Sequence, residues 1–427
     1  METFLNDLRF SIICMDKLEL KEIVLDQNLR LNEEEIVERE VLSKLVELTK
    51  NPFVIILSGI RRCGKSTLLN QLKKDNAGYY LNFDDDRLVN FHLNDFQKLY
   101  ELFSELYGEK SIFYFDEIQN IKGWELFVRR LRDENKKVFI TGSNASMLSK
   151  ELGTHLTGRY VQLTLYPFSF REFLLLEKFD FLEKDLFTAK GKGRIKKLFN
   201  DYLVKGGIPE YLKTGSKEYL KTLYENILYK DVLVRYKLTN EKSLKELVYF
   251  ISSNISKEIS FNSLKNILGL GSSTTVKEYF DYLENSFLVF LVPKYSNSVK
   301  KQIYANKKVY LIDNGIALNT GYRLSKDSGR ILENLVFLEL KRKGFEVYYY
   351  RDKNECDFII KDKKFKAIQV CFDLNKENKK REFAGLIEAM KKLKLSNGII
   401  LTYDQEDNFK LEGKKISVIP VWKWLLK

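Results

Sequence analysis

The stretch LSGIRRCGKSTLL (Leu57–Leu69) decides the fold of this chain. It closes the apolar run FVIILSG and holds Gly59, Gly64, Lys65 and Ser66 in the Gly-x-x-x-x-Gly-Lys-Ser spacing. A strand, a glycine-bounded loop and a helix start form the setting in which backbone amides wrap phosphates, and the helix N-terminus adds partial positive charge. Lys65 is placed to reach the outer phosphates and Ser66 to ligate magnesium, while Arg61, Arg62, Cys63 and Thr67 complete the nucleotide-contacting segment. ATP and Mg2+ are the implied ligands.

Two later runs fit that reading. SIFYFDEIQ is an apolar strand ending in Asp116 and Glu117, which puts one carboxylate near the magnesium shell and the next where it polarises an attacking water. KVFITGSNA ends in Thr141, Ser143 and Asn144. Asn144 is the better candidate there for sensing the outer phosphate, because its amide both donates and accepts; capping a helix is the competing role. Arg159, just before the run RYVQLTL, is a candidate for a neighbouring subunit's nucleotide, with a local ion pair as the alternative.

The runs FVIILSG, GYYLNFDDD, SIFYFDEI, KVFITGS and RYVQLTL alternate with helical segments. The fold class is therefore α/β, a mostly parallel sheet covered by helices. Apolar spacing predicts a helix over 32–50 leading into the sheet, and the acidic turn Asp84–Asp86 closes the second strand. After Pro167 the pattern is helical to about Tyr236, interrupted by KGKGRIKK (Lys190–Lys197), read as a solvated basic loop, and by the turn GGIPE (Gly206–Glu210). Residues 241–295 read as three helices and a short hairpin around FLVFLVPKY, the order of a winged helix. The third of these helices carries Lys277 against Glu278, Asp281 and Glu284, which favours packing on protein over reading a DNA groove.

The formal charge is +13, and residues 321–427 hold 24 Lys/Arg against 16 Asp/Glu, a balance that permits nucleic-acid contact without requiring it. No apolar run approaches membrane-spanning length, the opening METFLNDLRF lacks a signal-peptide pattern, and the four cysteines form no Cys-x-x-Cys pair. A cytoplasmic protein is expected, with no membrane partner.

The ordered set Gly-x-Arg-Arg-x-Gly-Lys-Ser, Asp116-Glu117, Thr-Gly-Ser-Asn, Gly158-Arg159, YPFSFREF and GGIPEYL resembles the prokaryotic AAA-type P-loop ATPases that carry a C-terminal domain of unknown function. The similarity runs from about Glu38 to the end. It implies an N-terminal segment (1–35), an AAA-type ATPase core (36–166), a helical region (167–239), a winged helix (240–320) and a restriction-endonuclease-like domain of the PD-(D/E)xK type (321–427). In that last fold a helix supplies an acid, one strand an Asp and the next Glu-x-Lys. The corresponding residues here are Glu333, Asp357, Gln369 and Cys371.

A neutral Gln369 weakens any magnesium site, and Cys371 supplies no cation, so this domain is expected to be an inactive nuclease. Lys379 or Lys380 is the substitute lysine to consider, and parity turns Cys356 away from Cys371. The reading is an Mg2+-dependent ATPase coupled to these modules, acting on nucleic acid or on another protein. An ATP-dependent nuclease, a nucleotide-gated regulator without DNA contact, and a homo-oligomer all remain open.

Overall fold

The computed structural model describes residues 15–29, 37–143, 156, 158–321 and 328–427. The chain forms two units, Met1–Ser58 with Lys65–Leu163, and Gly59–Gly64 with Thr164–Lys427.

In the first unit, α1 (Lys17–Leu29) and α2 (Leu42–Thr49) precede β1 (Val54–Ser58), α3 (Lys65–Asp75), β2 (Tyr79–Asn82), α4 (Asp95–Tyr107), β3 (Ile112–Asp116), α5 (Trp124–Asp133), β4 (Lys137–Gly142) and β5 (Tyr160–Thr164). The strands lie in the order β2-β3-β4-β1-β5, and the β2/β3, β3/β4 and β1/β4 pairs run parallel. Such a sheet is covered on both faces, which is why β1 reads as an unbroken apolar run rather than an alternation. The core is aromatic: Phe96 stacks on Phe127, and Tyr79 stacks on Phe103.

The N-terminal segment is part of this core. Leu20, Ile23 and Val24 of α1 are buried in it, and Met15 N donates to the buried Asp95 at 3.1 Å. The helix expected over 32–50 is shorter: among the described residues it starts at Leu42, after a turn closed by Leu42 N to Arg39 O. The acidic turn has a structural role, since Asp85 caps the 3₁₀ turn Asp86–Leu88, pairs with Arg87 and accepts from Gln27 of α1.

The second unit continues with α6 (Phe170–Leu176), α7 (Ala189–Lys205), α8 (Pro209–Thr214) and α9 (Lys217–Asn226), which runs into π-helical turns at Ile227–Val234. KGKGRIKK is not a loop; it is the first half of α7. Its glycine serves packing, because a Cβ on Gly191 would lie 2.5 Å from Asp185 O, and Ile195, Phe199 and Tyr202 bury one helical face. The segments YPFSFREF and GGIPE meet. Phe168 N donates to Gly207 O, Gly207 N donates to the buried Asp313 at 2.6 Å, and a Cβ on Gly207 would strike Phe168 O at 2.4 Å. Burial lifts the Asp313 carboxyl to about 6, against the pull of the amides that donate to it.

Next come α10 (Glu241–Ser253), β6 (Glu258–Ile259), α11 (Phe261–Ile267), α12 (Ser273–Asn285), β7 (Val289–Pro293), α13 (Val299–Tyr304) and β8 (Lys307–Leu311). The expected short hairpin is corrected. β7 pairs antiparallel with β8, and the turn between them holds the helix α13; β8 is the middle strand of the sheet β6-β8-β7.

After α14 (Asn314–Thr320) and α15 (Ser328–Arg342), the chain forms β9 (Glu346–Arg351), β10 (Glu355–Lys361), β11 (Phe365–Cys371), α16 (Lys379–Lys392), β12 (Asn397–Thr402), β13 (Asp407–Leu411), β14 (Lys414–Pro420) and α17 (Val421–Leu425). The six-stranded sheet has the order β13-β14-β12-β11-β10-β9; β9, β10 and β11 are a meander, and β12 joins β11 in parallel after α16.

Candidate functional site

In the first unit the functional side chains sit at the C-terminal ends of β3 and β4 and at the start of α3. Asp116 is fully buried. It accepts from Thr141 Oγ1 and from the Ser66 hydroxyl, and Tyr80 Oη lies 3.3 Å from its other oxygen. Burial first, and then the charge of Glu117, push its carboxyl above the ordinary aspartate range. Glu117 stands in the left-handed region (φ 51°, ψ 38°), a strained setting for a side chain other than glycine and one that recurs at functional sites. Its amide donates to Thr141 Oγ1 at 2.9 Å, its carboxylate accepts from Gln119, and Lys65 Nζ lies 3.7 Å away. Lys65, Ser66, Asp116 and Glu117 therefore lie together.

The structure adds Thr141, which ties the two acids together. Sequence reading had named this residue but preferred Asn144, which lies outside the described residues. Gln119 and Tyr80 were missed; Gln119 is two residues beyond Glu117, and Tyr80 is on the strand next to Asp116. Arg159 pairs with Asp133 at 3.2 Å, both partners being 40% or more exposed.

The loop Gly59–Gly64 belongs with the second unit. Gly59 and Gly64 take φ values of 154° and 96°, and Arg62 adopts 65°. A Cβ on Gly59 would lie 2.3 Å from Leu165 O, so glycine is required there. Arg61 makes a two-pronged ion pair with the buried Asp231, Nε at 3.0 Å and Nη2 at 3.1 Å, and Arg235 approaches the same carboxylate at 3.4 Å. Asp231 lies in the π-helical turns, an element often found at functional positions. No sequence pattern singled it out.

The end domain brings Glu333 and Asp357 together around a lysine. Lys308 of β8 lies between them, 3.0 Å from Glu333 Oε1 and 2.9 Å from Asp357 Oδ1, and it also meets Glu355 at 2.6 Å. A lysine from another strand thus ion-pairs with these acids. Neither proposed substitute does so, since Lys379 packs over the Phe409 ring and Lys380 is exposed.

Gln369 accepts from Asp357 N and donates to Glu382 at 2.7 Å. Cys371 is in an apolar core with Phe383 and Leu386, and its thiol is pushed up to about 12 by burial first. Cys356 lies in that same core, contrary to the parity expectation. An irregularity between Cys356 and Ile359 on β10 breaks the alternation; Cys356 and Cys371 are both free thiols.

A separate cavity of about 230 Å³ is lined by Glu284, Phe290, Phe337, Lys341 and Tyr348. Burial raises Glu284 to about 7 and lowers Lys341. Among the described residues, no group of three or more His, Cys, Asp or Glu is arranged to hold a metal, and no helix is long and apolar enough to cross a membrane.

Residues 51–174 match a family profile described as an AAA domain, so the class defined by the sheet and its carboxylate pair is that of the AAA-type P-loop ATPases. Residues 196–326 and 328–424 match two further profiles, DUF8612 and DUF4143, each described as a domain of unknown function. The chain belongs to the same family as the uncharacterized protein MJ1544 of Methanocaldococcus jannaschii, to which it is 34% identical over 98% of either chain. An uncharacterized protein of Haemophilus influenzae is 30% identical over 90% of this chain and 97% of its own. Among solved structures, the Walker-type ATPase PABY2304 of Pyrococcus abyssi aligns with a TM-score of 0.43 at 17% identity, covering 67% of this chain and 97% of that one.

Proposed function

We propose that this protein is an Mg2+-dependent ATPase in which Lys65 binds the outer phosphates, Ser66 and Asp116 hold the metal, and Glu117 activates water. The observation that carries the reading is the convergence of Ser66 and Thr141 on the buried Asp116, with Glu117 held in a strained conformation next to Lys65. A hard divalent cation with oxygen ligands fits that donor set. Magnesium supplies charge neutralisation on the phosphates when bound. The chain's own part is to orient water at Glu117 and to fix the carboxylates through Thr141.

The helix-strand-helix-helix-strand-helix-strand order over 241–311, with the last helix in the turn between β7 and β8, supports a winged helix, and the meander followed by a parallel strand supports an endonuclease-like end domain. Neutral Gln369 and thiol Cys371 in place of Glu and Lys support the view that this domain binds rather than cuts. Phosphate release from ATP is the direct test. Glu117→Gln is expected to retain ATP binding and lose turnover, and normal hydrolysis by that variant refutes the role given to Glu117. For DNA as a partner, the measurement is binding whose affinity falls steeply with salt; salt-independent or absent binding points to a protein partner instead.

A further inference from the structure

β8 reads KKVYL, and Lys308 and Tyr310 share a parity, so both reach the same face of their sheet. Lys308 is 2% exposed and touches an oxygen of each of three carboxylates: Glu355 at 2.6 Å, Asp357 at 2.9 Å and Glu333 at 3.0 Å. An ammonium has three N–H donors and no acceptor, so three oxygens use its entire capacity. The acids are themselves fixed. Asp357 accepts from Val370 N at 2.9 Å through its second oxygen, and Glu333 accepts from Tyr310 Oη at 2.7 Å. Burial alone would drive this ammonium toward neutrality, but the charges of Asp357 and Glu333 overcome that and hold it well above the ordinary lysine value.

The charge balance is uneven, with one ammonium facing three carboxylates. Glu333 is raised accordingly, by burial and then by the Asp357 charge. A divalent ion would match three oxygens and their charge better than a lysine does. Glu355, 35% exposed, is the side from which such an ion would arrive. The lysine and the acids also come from two different profile-matched regions, 196–326 for Lys308 and 328–424 for the acids.

We propose that Lys308 is an internal cation seated where the carboxylates of the end domain would otherwise take a divalent metal, so that this cluster is closed to metal by a strand of the preceding region. Removing the ammonium opens the site; the native chain does not use it for metal. The proposal stands apart from ATP hydrolysis and holds or fails without it.

The test uses the full-length chain, stripped with chelator and free of nucleotide, with Asp116→Asn as the background so that Mn2+ at the first unit does not contribute. Mn2+ binding is followed by loss of the free-ion paramagnetic resonance signal and by thermal unfolding. The background protein is expected to take no Mn2+ at the cluster. Adding Lys308→Ala or Lys308→Met is expected to create one Mn2+ site per chain and a melting temperature that rises with Mn2+, both abolished by a further Asp357→Asn. Failure of both lysine variants to gain Mn2+ overturns the proposal. So does Mn2+ binding by the background protein that Asp357→Asn removes. If the lysine variants are unfolded as isolated, recovery on refolding with Mn2+ and not without it supports the proposal, and failure in both conditions overturns it.

Discussion

Lys65 and Lys308 both face carboxylates, and they differ in how tightly those carboxylates hold them. Lys65 approaches Glu117 loosely, at 3.7 Å. Lys308 makes three contacts of 3.0 Å or less inside a closed cluster. In the functions proposed above, identical side-chain chemistry serves a ligand in the first case and an internal latch in the second. What separates them is how closely the carboxylate oxygens approach, which is not visible in residue type.

The largest effect is expected at the latch. Lys308→Ala leaves buried acids without their cation, which typically destabilises by about 3–5 kcal/mol; chemical denaturation of the metal-free protein measures it. A loss below about 1 kcal/mol would break the comparison, since the cluster would then be no tighter than a surface pair. Lys65→Ala should do the opposite, leaving stability nearly unchanged while ATP turnover falls by roughly a hundredfold or more, read from phosphate release. A fold-wide destabilisation by Lys65→Ala would erase the distinction between the two sites.

Glu284 and Lys341, which line the cavity, are intermediate. Both folded and unfolded chains hold the Glu284 proton below pH 4.5. Between 4.5 and about 7 the unfolded chain releases it while the folded chain keeps it, so stability falls as pH rises through that window and is level above it. Glu284→Gln should flatten this part of the pH profile, by at most about 3 kcal/mol. An unchanged profile would place the titration elsewhere. Smallest is Arg159→Ala, which breaks an exposed pair with Asp133 worth less than about 1 kcal/mol of stability. If Arg159 serves a neighbouring subunit's nucleotide, the variant loses turnover at unchanged stability, and mixing it with Lys65→Ala restores some; without such recovery, only the ion pair remains.

The phosphate loop, the strand ending in Asp116-Glu117 and the parallel sheet were legible because local spacing encodes them. Thr141 was harder to rank, since its role depends on β4 lying beside β3. Lys308 and Asp231 were not legible at all: one is 25 residues from the nearest of its three acid partners in the chain, the other 170 from Arg61. A lysine at the inward parity of the strand KKVYL was the only hint. The basic run at 190–197, read as a solvated loop, misled for a related reason: it forms the first half of a helix whose Gly191 packs on Asp185.

The meeting of Phe168, Gly207 and Asp313 bears on how this chain can be recombined with its relatives. Gly207 has room for no side chain, and Asp313 depends on its amide, so the stretches around 168, 207 and 313 must be inherited together. A chimera with a family member joined between 168 and 207, or between 207 and 313, takes the two sides of this contact from different parents. A junction placed before 166 carries this arrangement across intact and also keeps Lys308 with the acids of the end domain, which a junction after 320 would separate.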